Sequence, residues 1–330
     1  MINSRTCIGI VAASALACLA ASDPASAQSW PSRPLTMVVP FAAGGGADAM
    51  GRILAARLAE ILGQQVIVEN VGGAGGMTGA YRVVKATPDG YQFVLGTNGT
   101  HAQNQSLYKN PLYNAATDFA PVALIGEQPI ALLTRRDLPA DNLQQFIAYA
   151  KANQAGLKYG SAGTGSAVQL SCVLLNAATG LRTTHVPYRG SAPAMQDLIA
   201  GRIDYQCANL APALGQIEDH QVKAIAVLGR HRTALMPSLP TADEQGLTGF
   251  DAVLWYGMFL PKGTPAEIVQ KLNAAVIATL DTPSLRERMK QVGAELAAPD
   301  QRSSEYLGKL VESEIVKWAG PIKASGVTAE

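Results

Sequence analysis

Two short stretches carry most of the chemistry this chain could perform. Pro40-Phe41-Ala42-Ala43-Gly44-Gly45-Gly46-Ala47-Asp48 follows a β-rich run and opens a helical pattern, and Tyr159-Gly160-Ser161-Ala162-Gly163-Thr164-Gly165-Ser166-Ala167 does the same further on. A strand, a glycine-rich turn and a helix start together aim unpaired N–H groups and the positive end of the helix dipole at one place. Such a place suits an anion, and each terminus contributes about 0.3–2 kcal/mol toward it. Two turns of this kind invite a cleft between them, in which neutral donors hold a carboxylate without a dedicated arginine. Either turn alone could equally be a tight connection, with Thr164 and Ser166 acting as helix caps.

Other chemistries find less support. Gly44, Gly46 and Ala49 satisfy G-x-G-x-x-A, with Glu69 downstream, as in a dinucleotide site. Against this, Pro40 to Ala43 separates the strand from the glycines, and the leader lacks the paired arginines of an export substrate already loaded with cofactor. No G-x-x-x-x-G-K-[ST] loop occurs. The elbow G-x-S-x-G fails at Ser161, where Tyr159 replaces the first glycine, and Gly190-Ser191 has the wrong spacing. His101, His185, His220 and His231 lack H-E-x-x-H or C-x-x-C neighbours, so neither metal nor cofactor is expected. Asp48 reads as a first-turn carboxylate complementing the helix dipole.

The elements that position the turns alternate. β-rich runs occur at Leu35 to Val39, Gln65 to Val68, Tyr91 to Leu95, Ile130 to Thr134, Leu157 to Tyr159, His185 to Val186, Ile203 to Cys207 and Val222 to Leu228, with helical patterns between them, the signature of βαβ units. Asp48 to Leu62 carries a helical stripe closed by Gly63, and Val168 to Ala178 is a second helical run. Thr264-Pro265-Ala266-Glu267 spells a capping box, Thr282-Pro283 repeats the start, and a further amphipathic helix is expected from Ser304 to Trp318.

At 330 residues, 48% hydrophobic and 15% charged, the chain can bury a large core and is expected to form two domains. Lys plus Arg is 26 against 25 Asp plus Glu, a net charge of +1 that offers no electrostatic footprint for a nucleic acid. Arg5, the apolar run Cys7 to Ala21 and Ala25-Ser26-Ala27 read as a signal peptide over residues 1–27, cleaved near Ala27. Ala15-Leu16-Ala17-Cys18 leaves lipidation of Cys18 as a second reading, although Leu16 sits one place too late. Removing the leader leaves Cys172 and Cys207, an even pair in an oxidising compartment that suggests a disulfide, with two separate buried thiols as the alternative. A bridge enclosing 34 residues is worth about 4 kcal/mol by chain entropy.

Several segments in series resemble one family. They are Trp30-Pro31-Ser32-Arg33-Pro34, Val39-Pro40-Phe41 with Gly44-Gly45 and Asp48, Val68-Glu69-Asn70 with Gly73-Ala74-Gly75-Gly76, Ala86-Thr87-Pro88-Asp89-Gly90-Tyr91, Asp118-Phe119-Ala120-Pro121-Val122, Gly160 to Ser166, and Val186-Pro187-Tyr188-Arg189-Gly190-Ser191-Ala192-Pro193-Ala194 with Asp197-Leu198. In that order they resemble the Bug-type (Bordetella uptake gene) solute-binding receptors of tripartite tricarboxylate transporters. The resemblance implies an α/β, type II periplasmic-binding-protein fold: two lobes with mainly parallel central sheets, joined by two hinge crossings near Ile130 to Thr134 and Phe250 to Leu260. Lobe 1 would combine 30–130 with 255–330, and lobe 2 would be 131–254.

The resemblance further implies a periplasmic, monomeric binding protein rather than an enzyme. It would capture a di- or tricarboxylic or aromatic acid and deliver it to the membrane subunits of such a transporter. Recognition of the proximal carboxylate carries over onto Phe41, Ala42, Gly44, Gly45 and Asp48, and onto Ser161, Thr164, Gly165, Ser166 and Ala167. Candidates for the far end of the ligand are Thr97, Asn98, Thr100, His101, Arg189, Asn209 and Trp255. Ala208 stands where many relatives carry an acidic residue, which puts amine-bearing ligands in doubt. A solute-sensing subunit of a membrane receptor and an exported enzyme are the alternatives.

Overall fold

The computed structural model describes residues 30–229 and 231–329, so the leader, Cys18 and the cleavage site near Ala27 lie outside the described residues. The first segment runs β1 (Leu35–Val39), α1 (Gly46–Leu62), β2 (Val66–Asn70), α2 (Met77–Val84), β3 (Gln92–Thr97), α3 (Asn104–Leu107) and β4 (Phe119–Gln128). The middle segment holds β5 (Ile130–Arg135), α4 (Leu143–Asn153), β6 (Lys158–Ser161), α5 (Ala167–Thr179), β7 (Thr184–Pro187), α6 (Ser191–Ile199), β8 (Tyr205–Asn209), α7 (Leu214–Glu218) and β9 (Val222–Val227). The last holds β10 (Leu254–Pro261), α8 (Ala266–Asp281), α9 (Pro283–Gln291), β11 (Glu295–Leu296) and α10 (Ser304–Ser325).

These strands form two sheets, ordered β11-β4-β10-β3-β1-β2 and β7-β6-β8-β5-β9. The βαβ expectation holds where a helix links neighbours: β1 is parallel to β2 and β3, and β6 to β7 and β8. The sheets are nevertheless mixed rather than mainly parallel. The strands that carry the chain into a sheet after it leaves the other, β5 and β10, run antiparallel to both neighbours, and β11 is antiparallel to β4. Only Pro129 separates β4 from β5, and the chain returns to the first sheet after Val227 and before Leu254. Neither β4 nor β10 is among the strands expected from the sequence. All eight residues of β10 are buried, so it shows no alternation of apolar and polar positions.

Local signals fix several helix ends. α1 buries Ile53, Leu54 and Leu58 and stops at Gly63, whose φ of 67° is left-handed. Ser166 and Ser303 cap α5 and α10 through their side chains. The capping box expected at Thr264 does not form: its hydroxyl donates to the Pro261 carbonyl (2.8 Å), closing the preceding turn, and α8 begins at Ala266. α8 and α10 cover β4 of the first sheet. Cys172 and Cys207 are joined as a disulfide, tying α5 to β8 within the second sheet's half. No helix among the described residues is long and apolar enough to cross a membrane.

Candidate functional site

The two glycine-rich turns meet. An inner cavity of about 30 Å³ is lined from the first sheet's side by Phe41, Gly45, Gly46, Ala47, Thr97, Leu254 and Tyr256, and from the other by Ala162, Ser166, Ala167, Val168, Ser191 and Asn209. Gly46 and Ala47 begin α1, Ala167 and Val168 begin α5, and Ser191 begins α6. Three helix N-termini from two halves of the molecule therefore converge, and each leaves its first N–H groups without intrahelical partners. None of the lining residues is charged.

Asp48 lies beneath the first turn and braces it. Its carboxylate accepts hydrogen bonds from the Gly44 amide, Arg52 Nε and Asn70 Nδ2, each at 3.0 Å. Burial alone would raise its pKa, but the Arg52 and Gly44 hydrogen bonds and Asn70 outweigh this and hold the carboxyl below its ordinary value. In the second turn Ser166 Oγ donates to the Gly163 carbonyl (2.7 Å) and accepts from Gln169 N (3.3 Å), capping α5, whose first residues Ala167 and Val168 line the cavity. Ser161 lies behind this turn. Its buried Oγ is 2.7 Å from His185 Nε2 and accepts from the Gly163 amide (3.1 Å), so the pair fixes the turn instead of presenting a nucleophile to the cleft. Burial depresses His185 to about 4 and keeps the imidazole neutral near pH 7.

Contacts between the halves are close. Ala42 N donates to the Arg189 carbonyl (3.0 Å), and the Tyr108 hydroxyl donates to the Thr164 carbonyl (2.7 Å). A Cβ at Gly99 would lie 2.6 Å from Ala167 N, and one at Gly46 would lie 2.5 Å from Asn209 Cγ and Oδ1. Gln128, the last residue of β4, accepts through one oxygen from both Asn209 Nδ2 and the Tyr256 hydroxyl, each at 2.9 Å. Its own Nε2 donates to the Val292 carbonyl (2.7 Å).

Residues 50–327 match the family described as tripartite tricarboxylate transporter family receptor. The chain belongs to that family. This receptor is 40% identical to a solved periplasmic binding protein, BugD, with a TM-score of 0.87 over 91% of this chain and 100% of that one. It is 40% identical to MatC of Rhodopseudomonas palustris, solved with bound malate, with a TM-score of 0.85 over 89% and 100% of the two chains. A third structure, an R. palustris protein with adipate, is 37% identical with a TM-score of 0.86 over 91% and 99%. The two mixed sheets with their helices are thus the two-lobe α/β fold of periplasmic binding proteins.

Among the expected site residues of this receptor, Phe41, Gly45, Thr97, Ser166, Ala167 and Asn209 line the inner cavity. Gly44 lines an adjoining outer cavity of about 130 Å³. Asp48 and Ser161 brace the turns from behind, whereas Ala42 and Thr164 make the contacts between the halves and Gly165 packs closely against Asn104 and Tyr108. The far-end candidates divide. Thr100 closes the end of β3 by accepting from the Thr97 amide (2.9 Å), and Asn98 Nδ2 donates to the Val253 carbonyl (2.9 Å). His101 is fully buried, stacked on Phe259 at 3.8 Å, and desolvation lowers its pKa to about 3. Trp255 is buried with its indole N–H donating to Glu314 (3.3 Å), and the exposed Arg189 contributes its carbonyl to the contact between halves. None of these lines either cavity. The sequence reading missed Gly46, Ala47, Ala162, Val168, Ser191, Leu254 and Tyr256. Gly190-Ser191, a glycine followed by a helix start, was the signal for the third N-terminus. Among the described residues no cluster of His, Cys, Asp or Glu could hold a metal ion.

Proposed function

We propose that this receptor is a periplasmic, monomeric protein that captures a small carboxylate between its lobes and hands it to the membrane subunits of a tripartite tricarboxylate-type transporter. The observation that carries this reading is the convergence of α1, α5 and α6 N-termini on one cavity with no charged lining residue. The malate and adipate bound by two similar structures agree with it. Lobe 1 would comprise 30–130 with 255–330 and lobe 2 131–254, a division supported by sheet membership. The leader would be cleaved near Ala27. A ligand favours the closed form by its greater affinity for it, and closure presents the surface the transporter reads.

Thermal melting against mono-, di- and tricarboxylates, aromatic ones included, tests the reading. A carboxylate at 100 times its dissociation constant should add about 2.7 kcal/mol of stability. The acid should come back chemically intact after incubation with excess protein, as mass spectrometry would show. A flat response across the panel, or turnover of the bound acid, defeats the proposal.

A further inference from the structure

The inner cavity is too small for a whole metabolite. At about 30 Å³ it accommodates two waters or a carboxylate head, so the rest of a bound acid must occupy space continuous with it. The outer cavity provides that space, and Gly45, Gly46, Ser191 and Asn209 line both. Its lining is uncharged throughout, and Gln196, Gln206 and Gln216 bring three further carboxamides to it. The starts of α1 and α6 form part of its wall.

Two of these carboxamides are underused. Gln206 is fully buried and its Nε2 reaches the Ser191 carbonyl only at 3.4 Å. The Oε1 atoms of Gln206 and Gln216 are both buried without a partner. A buried acceptor left unpaired costs roughly 1–3 kcal/mol, and rotation of the carboxamide toward the cavity lets a ligand donor recover it. A hydroxyl or a carboxamide N–H supplies that donor. A second carboxylate cannot, because it only accepts. An ammonium group would donate, but it would be desolvated beside two positive helix termini with no carboxylate in the lining.

We propose that the outer cavity is the subsite for the second end of the ligand, and that it takes a neutral hydrogen-bonding group, a hydroxyl or a carboxamide, and rejects an ammonium. The inference rests on the carboxylate reading above. Calorimetric titration of the purified protein with valerate, 5-hydroxyvalerate, glutaramate, glutarate and 5-aminovalerate varies only the far end. The hydroxyl and carboxamide members should bind about tenfold or more tighter than valerate, the difference made by satisfying one buried acceptor, with 5-aminovalerate weakest. Gln216→Leu should shrink the hydroxyl-over-methyl ratio, and Gln216→Glu should strengthen 5-aminovalerate about tenfold by supplying the missing carboxylate. Gln206→Leu repeats the first test. Should it fail to fold, the half-buried Gln216 pair decides alone. Equal affinities across the series, or tightest binding of glutarate or 5-aminovalerate, overturn the subsite while leaving carboxylate capture standing. Absence of binding by these five and by the broader carboxylate panel overturns both.

Discussion

The Tyr108 hydroxyl donates to the Thr164 carbonyl across 2.7 Å, so a residue just after α3 holds the second glycine-rich turn from the opposite lobe. Tyr108→Phe removes this bond and little else. A hydrogen bond of this kind is worth about 0.5–1.5 kcal/mol. Carboxylate affinity should therefore fall about two- to tenfold in calorimetry, with a small rise in the radius of gyration measured by solution scattering. Unaltered affinity and dimensions would show that the bond does not contribute to closure.

Gly99 tests closure from a second direction. Its missing Cβ would lie 2.6 Å from Ala167 N and 2.9 Å from the Gly165 carbonyl oxygen, both backbone atoms of the facing lobe. Gly99→Ala should weaken carboxylate binding about tenfold or more, because closing the cleft now requires backbone displacement. The melting temperature without added carboxylate should change much less. Equal losses in stability and affinity would point to a folding defect instead.

The disulfide should stabilise one lobe selectively. Cys172→Ser with Cys207→Ser is expected to cost about 4 kcal/mol in the chain-entropy account. Trp30 lies beside Tyr91, Trp255 in β10 of the first sheet and Trp318 in α10, none of them with the disulfide-bearing sheet, so tryptophan fluorescence and far-UV circular dichroism should give separated urea transitions in the double mutant. Coincident curves at the wild-type midpoint would count against the assignment.

One buried histidine, His101, and one half-buried, His185, predict acid sensitivity. Desolvation lowers His101 to about 3 and His185 to about 4, well below the ordinary imidazole value of about 6.5. The unfolded chain therefore binds more protons between roughly pH 4 and 6.5. Stability must fall as pH drops through that window, by up to about 1.4 kcal/mol per pH unit for each histidine. His101→Phe keeps an aromatic ring against Phe259 and should make the pH dependence of the urea midpoint shallower by about one proton. An unchanged slope would contradict the burial argument.

The sequence made the turns legible because they are local. Gly44, Gly45 and Ser166 announce themselves through a strand, a small-residue run and a helix start within a dozen positions. The antiparallel entry of β10 was hidden, since a uniformly apolar strand gives no period and its partners lie more than a hundred residues away. The far-end candidates show the same divide. His101 and Trp255 have side chains suited to binding, but Phe259 and Glu314, brought in by tertiary packing, take them up.

Gln128 combines two roles in a single side chain. It ends the strand from which the chain crosses to the second sheet, and its carboxamide oxygen anchors Asn209, which lines both cavities. Any substitution at 209 that reshapes selectivity also releases an anchor beside the pivot. New specificities in such a molecule would thus arise together with altered gating, and laboratory evolution of its preferences should yield compensating changes at 128 and 256.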